Sequence, residues 1–219
     1  MADLQYPEGR HPGWPVRLGP LAVAAGTLEL RPPRLRDGGT WSSTRSRDRV
    51  HLERWEPTAY GQSWDERNSL LAWPPQWAAL RSLGRRGLAL PFMIVVDGRL
   101  AGQVTVGSIQ RGALRSGWVG YWVASDLTRG GVATGAVALV VDHCFGPARL
   151  HRLEATVRPE NEASLRVLDK LGFRREGLYE RYLDVGGTWR DHVSLALTEE
   201  ETGPGLVARL VQRGLARIP

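Results

Sequence analysis

Residues 120–134 read GYWVASDLTRGGVAT and contain an aromatic strand, a turn with two adjacent glycines and the start of an apolar helix. A strand that enters a helix through glycines exposes backbone N–H groups at the helix start, where the helix dipole also favours an anion. Gly130 and Gly131 carry no Cβ, so they permit positive φ and close approach of a ligand to the main chain. Arg129 can add a charge-assisted contact to a phosphate. The pattern predicts a pyrophosphate cradle at residues 129–134, with an ordinary strand-to-helix loop as the alternative.

The spacing of the glycines excludes two common phosphate-binding motifs. The Gly-x-Gly-x-x-Gly spacing of dinucleotide-binding folds is absent, and no acidic ribose partner follows at the expected distance. The Gly-Lys-Ser/Thr ending of a P-loop is also absent.

Around this stretch, the hydrophobic periodicity predicts strands and helices in alternation. Three antiparallel strands precede the cradle, and Asp97-Gly98 is a strong hairpin signal between the first two. After it come an apolar helix, a strand, a second helix and a hairpin about Gly186-Gly187. We place these elements at residues 91–96, 100–109, 117–124, 132–145, 151–157, 161–171, 177–183 and 188–197. The pattern is typical of an α/β domain.

The rest of the chain divides into an N-terminal arm at residues 1–25, a domain at residues 26–198 and a C-terminal helical tail at residues 199–219. Prolines at the N-terminus break regular structure and favour a loose arm. We expect Asp37-Gly38-Gly39 to interrupt a helical pattern, and Pro74-Pro75 to kink or split another at residues 63–86.

Composition bounds the function. The 219 residues carry a net charge of +6, spread along the chain as arginine, which does not indicate nucleic-acid binding. The one cysteine, Cys144, excludes an internal disulfide and suits a reducing compartment. The apolar stretch at residues 18–26 is too short to span a bilayer. We therefore expect a cytoplasmic protein with no membrane partner, and no metal site, because no His/Cys/Asp spacing suggests one.

The cradle resembles motif A of the GNAT superfamily of N-acetyltransferases, Gln/Arg-x-x-Gly-x-Gly/Ala. Thr128, Gly131 and Ala133 fall on its three defining positions, and Thr128 departs from the pattern. Five further stretches are similar to the RimJ and RimL group of ribosomal-protein N-terminal acetyltransferases, with RimJ the more similar. These stretches are Arg54-Trp55-Glu56-Pro57, Gly120-Tyr121-Trp122, Leu150-His151-Arg152, Asn161-x-x-Ser164 with Leu171-Gly172-Phe173, and Trp189-Arg190-Asp191-His192-Val193.

The resemblance implies a GNAT fold: a mixed and largely antiparallel central sheet, splayed between two parallel strands and flanked by helices. It also implies acetyl-CoA as cosubstrate, held by the main chain of the central strand and by the cradle. The implied cofactor-binding residues are Trp122, Val123, Arg129, Gly130, Gly131, Val132, Ala133, Thr134, Asn161 and Ser164.

Asn161 and Ser164 are three residues apart and share one face of a helix. By resemblance this face turns toward the cofactor, and Ser164 is our candidate proton donor to the leaving thiolate. Helix capping by Asn161 is the alternative.

The general base has two candidates. An α-amino group with a pKa near about 8 needs little help to lose its proton. Glu154 lies on the strand before Asn161, with an ion pair to Arg152 as the alternative role. Glu56 is the second candidate, and capping of the following helix is its alternative role.

The acceptor groove is expected at the last hairpin, which forms its wall in related enzymes. We assign substrate binding to Trp55, Tyr182, Asp191 and His192. His192 is also a weak candidate base, since a strand histidine is more often a hydrogen-bonded wall residue. Trp41 and Trp64 line the peptide entrance or pack in the core.

These expectations combine into an acetyl-CoA-dependent transfer of acetyl to the α-amino group of a protein N-terminus, with a ribosomal protein as acceptor and direct attack in a ternary complex. The partner is then a protein or peptide N-terminus, and the chain is a monomer or a homodimer. Two alternatives stay open: a small-molecule amine N-acetyltransferase of the same fold, since loops choose the acceptor, and a non-catalytic acyl-CoA sensor.

Overall fold

The computed structural model describes residues 13–219, in which eight strands form one sheet. The strands are β1 (Leu18–Val23), β2 (Gly26–Arg31), β3 (Leu90–Val96), β4 (Arg99–Gln110), β5 (Ser116–Val123), β6 (Arg152–Val157), β7 (Arg174–Asp184) and β8 (Trp189–Thr198). Their order is β1-β2-β3-β4-β5-β6-β8-β7. β5 and β6 are parallel and the other neighbours are antiparallel. The sheet is therefore mixed and largely antiparallel, as expected.

Helices cover both faces of the sheet. They are α1 (Gly38–Arg47), α2 (Arg49–Leu52), α3 (Trp64–Asn68), α4 (Trp73–Arg85), α5 (Val132–Phe145), α6 (Glu162–Leu171) and α7 (Leu206–Gln212). Successive side chains of a strand point to opposite faces. Accordingly, Phe92 and Ile94 of β3 pack in the large core with α5, while Met93 packs on the other face with Trp41 and Trp73. None of the helices in the described range is long and apolar enough to cross a bilayer.

The predicted central elements are confirmed. β3, β4 and β5 lie within one residue of the predicted bounds. α5 has the predicted bounds, and most of its residues are buried, as its apolar sequence indicates. The pattern at residues 63–86 is split: α3 ends at Asn68, and α4 begins at Trp73 with proline in its first turn. Proline has no N–H to donate, so the first turn of a helix tolerates it.

The structure differs from the sequence expectation at Gly38. This glycine does not interrupt a helix but begins α1. A Cβ on Gly38 would lie 2.5 Å from Cδ1 of Trp73, so the glycine allows α1 and α4 to approach closely. Asp37 precedes it, buried and paired with Arg31 at 2.7 Å.

The two ends of the described chain meet beside the sheet. β1, which the sequence placed in an arm, is the edge strand and pairs with β2, whereas residues 1–12 lie outside the described range. Ala22 and Arg217 exchange two backbone hydrogen bonds of 2.8 and 2.9 Å. Asp142 of α5 accepts hydrogen bonds from the backbone N–H groups of Leu206 and Val207 at the start of α7.

Candidate active site

The sheet opens between its two parallel strands. β5 pairs with β6 over three residues, Ser116–Trp118 against Arg152–Glu154. Beyond Trp118, β5 continues to Val123 in register with β4 alone. β6 likewise continues to Val157 in register with β8. The two strands thus diverge and leave a split in the sheet, with Trp118 and Glu154 at its vertex.

The predicted cradle lies in the loop that leads from β5 into α5. Gly131 has φ +81°, a left-handed conformation that favours glycine. The N–H of Gly135 donates to the carbonyl oxygen of Gly131 at 2.9 Å. The N–H groups of residues 132–134 therefore precede the hydrogen-bonded ladder of α5 and have no partner within the helix. A Cβ on Gly130 would lie 2.5 Å from Cβ of Ala25.

This loop fits a diphosphate group. Free N–H donors point from the start of a 14-residue helix, and the helix dipole adds a partial positive charge. Arg129 is exposed in the same loop. Thr128, the residue that departs from the motif A pattern, closes the turn, because its hydroxyl donates to the carbonyl oxygen of Ser125 at 2.9 Å. The departure therefore leaves the main chain of the cradle intact.

Ser164 lies in the first turn of α6 and faces the split. Its backbone N–H donates to Oδ1 of Asn161 at 3.2 Å, so Asn161 caps the helix as the alternative reading proposed. The Oγ atom of Ser164 lies 2.9 Å from the hydroxyl oxygen of Tyr121 in β5. This hydrogen bond joins the two sides of the split.

Tyr121 was not among the site residues expected from the sequence. Burial raises the pKa of its phenol to about 12, and the hydrogen bond with Ser164 acts in the opposite direction. The alternation in β5 does indicate that Tyr121 and Trp122 point to opposite faces. Its contact with α6, 43 residues further on, depends on tertiary packing.

Glu154 lies at the vertex of the split and is paired. Its Oε1 accepts a hydrogen bond from Nε of Arg152 at 2.5 Å. Arg152 also binds Glu176 of β7 through two hydrogen bonds. The ion pair that we weighed against a catalytic role is thus present, and it lies next to the position where the strands diverge.

Glu56 is held by a buried arginine. Nη2 of Arg45 donates to both carboxylate oxygens, at 2.6 and 2.7 Å, and the Arg45 side chain is 7% exposed. The guanidinium carbon lies 4.9 to 5.5 Å from the ring centroids of three tryptophans, Trp41, Trp64 and Trp122. Glu56 does not cap the following helix α3, because Ser63 and Glu66 form the capping box of that helix. A cavity of about 330 Å³ adjoins this pair.

Trp41 and Trp64 are buried in this cluster rather than lining an entrance. Trp55 is half-buried, between the guanidinium groups of Arg54 and Arg158, whose carbon atoms lie 4.4 and 5.3 Å from the ring centroid. The contact with Arg158 brings Trp55 beside the open end of β6.

The last hairpin brings three of the predicted acceptor residues together. The rings of Tyr182 and His192 lie 5.6 Å apart, edge to face, with Tyr182 exposed and His192 buried. The carbonyl oxygen of Arg190 accepts from Nδ1 of His192 at 3.0 Å, which leaves Nε2 as the lone-pair nitrogen of the neutral ring. Oδ1 of Asp191 accepts from the N–H of Arg181 at 2.7 Å, where Arg181 has φ +47° and the register of β7 with β8 shifts.

In the described part of the chain, no group of three or more His, Cys, Asp or Glu side chains is placed to hold a metal ion.

Comparison with known proteins identifies the family. The Acetyltransferase (GNAT) domain matches residues 27–174, more than half of the chain. The chain belongs to the GNAT acetyltransferase family. Enzymes of this family use acetyl-CoA, so the expected cosubstrate and class of enzyme are confirmed.

The relatives of this acetyltransferase include the RimJ and RimL group. RimJ of Mycobacterium smegmatis, solved with a CoA disulfide, is 51% identical, with a TM-score of 0.93 over 95% of this chain and 100% of that one. The ribosomal protein uS5-alanine N-acetyltransferase of Escherichia coli is 26% identical over 78% of this chain and 87% of its own length. YjcK of Bacillus subtilis is 44% identical over a matched region that covers 46% of this chain and 56% of YjcK.

These relatives confirm the resemblance that the sequence motifs suggested. The GNAT fold, with its splayed mixed sheet, is confirmed as well.

Proposed function

We propose that this acetyltransferase transfers the acetyl group of acetyl-CoA to the α-amino group of a protein N-terminus, with a ribosomal protein as the acceptor. Its similarity to Mycobacterium smegmatis RimJ over nearly the whole chain carries the proposal. The relative from Escherichia coli is named for N-acetylation of alanine on ribosomal protein uS5. A ribosomal acceptor places the reaction in the cytoplasm.

The cofactor roles follow from the split. Residues 129–134 hold the diphosphate through main-chain N–H groups and Arg129. Beyond the vertex, β6 no longer pairs with the edge of β5 that carries Trp122 and Val123. The main chain of Val123 is therefore accessible to the pantetheine arm and the thioester oxygen, whereas the carbonyl oxygen of Trp122 is directed at Gly102 of β4. Acetyl-CoA supplies the activated acetyl group, and Ser164 supplies a proton to the departing sulfur.

Glu154 is the proposed base. It is paired in register with Trp118, the last β5 residue before the strands diverge, and this register supports a position for its carboxylate beside the acetyl group. A weak base suffices, because an α-amino group has a pKa near about 8 and is partly neutral at neutral pH.

Glu56 remains the second candidate base. Its two hydrogen bonds with Arg45 leave its carboxylate less free than that of Glu154. The arrangement favours a structural role for Glu56, in which it neutralises a guanidinium buried among tryptophans.

The proposed acceptor groove runs between Trp55 and the last hairpin. Thr58, shortly after Trp55, is joined to Asp184 of β7 by a side-chain hydrogen bond of 2.6 Å and a backbone hydrogen bond of 2.9 Å. Tyr182, Asp191 and His192 lie on that hairpin. Direct attack requires acceptor and acetyl-CoA to be bound together, and access from two sides of a split sheet allows this.

A panel of N-terminal peptides tests the proposal. We expect acetylation of peptides that begin with alanine or serine, read by mass spectrometry, with equal release of free CoA. Matched peptides with a blocked N-terminus and an internal lysine serve as controls, and a polyamine serves as the small-amine control. Acetylation of the polyamine without any peptide, or binding of acetyl-CoA without turnover, would contradict the proposal.

A further inference from the structure

Tyr121 is a half-buried polar residue in the split to which the reaction described so far gives no task. Trp122, its neighbour in β5, packs with the tryptophan cluster on one face of the sheet, and Tyr121 packs against the large core on the other. Its hydroxyl oxygen lies 2.9 Å from Oγ of Ser164 and 3.4 Å from the carbonyl oxygen of the same residue.

We propose that Tyr121 positions the hydroxyl of Ser164 and replaces the proton that Ser164 delivers to the departing sulfur. The inference rests on the proposed role of Ser164 and assigns the origin of its proton. Tyr121 acts through Ser164 and is a positioning residue for the transfer.

The chemistry of serine requires such a partner. A serine hydroxyl is about as weak an acid as water, and a far weaker acid than a phenol or a thiol. A thiol has a pKa of about 8.5. Ser164 therefore cannot surrender its proton to a thiolate unless another group supplies one at the same time. Within residues 13–219, the side-chain group that lies within hydrogen-bond distance of Oγ of Ser164 is the hydroxyl of Tyr121. Its pKa of about 12 makes it a stronger acid than the serine hydroxyl.

The proton balance closes without a further reactant. The acceptor nitrogen forms a bond to the acetyl carbon, and the carbon–sulfur bond breaks with its electron pair on sulfur. Sulfur receives the proton of Ser164, and Oγ receives the proton of Tyr121. The acceptor nitrogen loses one proton to Glu154 on becoming an amide, and water carries that proton from Glu154 back to the Tyr121 oxygen.

The test compares Tyr121→Phe, Ser164→Ala and the double variant. Tyr60→Phe is the matched control, since it also removes a hydroxyl that makes one side-chain hydrogen bond, at 2.7 Å to Asp184, on an exposed ring. General acid catalysis contributes about 10²- to 10⁴-fold, so we expect Ser164→Ala to lower kcat at least about 100-fold. We expect Tyr121→Phe to lower kcat about 10- to 100-fold, with KM for acetyl-CoA unchanged, and Tyr60→Phe to be unaffected.

The double variant separates positioning from simple packing. If Tyr121 acts through Ser164, Tyr121→Phe has no further effect once Ser164 is alanine. Effects that multiply in the double variant would overturn the proposal, as would full kcat in Tyr121→Phe.

A second readout does not depend on turnover. The thiolate of bound CoA absorbs in the ultraviolet, and its titration gives the pKa of the bound thiol. A hydroxyl that donates to sulfur favours the thiolate and lowers that pKa. We expect Tyr121→Phe and Ser164→Ala to raise it in the CoA complex, and an unchanged titration in both would refute the arrangement. The turnover assay uses any acceptor that the wild-type enzyme acetylates. Failure of the peptide acceptor is thus distinct from failure of the Tyr121–Ser164 pair.

Discussion

Substitution of Gly131 by alanine measures what the left-handed residue in the cradle contributes. The nearest atom to an added Cβ is Cβ of Val23 at 3.4 Å, which is ordinary contact, so the substitution adds no clash. The cost is conformational: an L-residue with a side chain pays about 1–2 kcal/mol in the left-handed region. That cost is divided between folding and CoA binding, because the loop can relax when CoA is absent and must return to φ near +81° when CoA binds.

We therefore expect the loss in unfolding free energy and the loss in CoA binding free energy to sum to about 1–2 kcal/mol. If the whole cost falls on binding, Kd for CoA rises about 5- to 30-fold. If it falls on folding, Tm drops by about 2–8 °C. Isothermal titration calorimetry and urea unfolding measure the two parts.

Gly112→Ala is the matched control. Gly112 has φ +72° and no atom within 4 Å of an added Cβ, so the same substitution carries a similar conformational cost outside the cradle. We expect it to lower stability and leave Kd for CoA unchanged. The reasoning is refuted if Gly131→Ala retains both stability and affinity, or if Gly112→Ala weakens CoA binding equally.

Three further predictions concern other parts of the site. Glu154→Gln is expected to lower kcat about 10- to 100-fold at neutral pH. The loss in kcat should shrink as the pH rises past about 8, because the amine of the acceptor then deprotonates without help. A pH-rate profile in which the loss stays constant would contradict the role of Glu154 as a base. Arg45→Met removes the main partner of the Glu56 carboxylate, which keeps Arg67 at 3.8 Å, and is expected to cost about 1–3 kcal/mol in urea unfolding. Adding Glu56→Gln should restore part of the loss, and wild-type stability of the single variant would argue against the pair. Asp48 accepts hydrogen bonds from Arg47 and Ser125, which lower its pKa although burial acts to raise it. Because the pKa of Asp48 in the folded state lies below that in the unfolded state, the carboxylate stabilises the fold above about pH 4, and this stabilisation is lost as the pH falls. Asp48→Asn should therefore make the unfolding free energy depend less on pH in that acid range. An unchanged pH dependence would exclude a stabilising role for the Asp48 carboxylate.

Local patterns were enough to predict the central elements of the fold. The apolar run of α5 and the alternation in β3–β5 specify element type by burial periodicity alone, and their predicted bounds agree with the structure. The prediction that Gly38 interrupts a helix was wrong, because a glycine in a helical pattern can have either of two physical causes. Sequence alone does not distinguish a helix break from the close approach of Trp73.

The site was less predictable than the fold, because its contacts are long-range. The cradle is local, and Gly131 has the left-handed φ that the sequence suggested, whereas the nearest atom to a Cβ on Gly130 belongs to Ala25. The hydrogen bond between Tyr121 and Ser164 spans 43 residues, and nothing in either local pattern indicates it. The pairing of Glu154 with Arg152 was foreseeable, since residues two apart on a strand share a face.

The short contact between β5 and β6 divides the sheet into two parts. Three residue pairs form the backbone ladder between strands β1–β5 and strands β6–β8 in the described chain. The cradle and Tyr121 belong to the first part, whereas Ser164 and Glu154 belong with the second. A molecule that occupies the split touches both parts at once. Its binding free energy is therefore thermodynamically linked to the angle between the two half-sheets, so that a substitution which changes this angle alters ligand affinity from a distance.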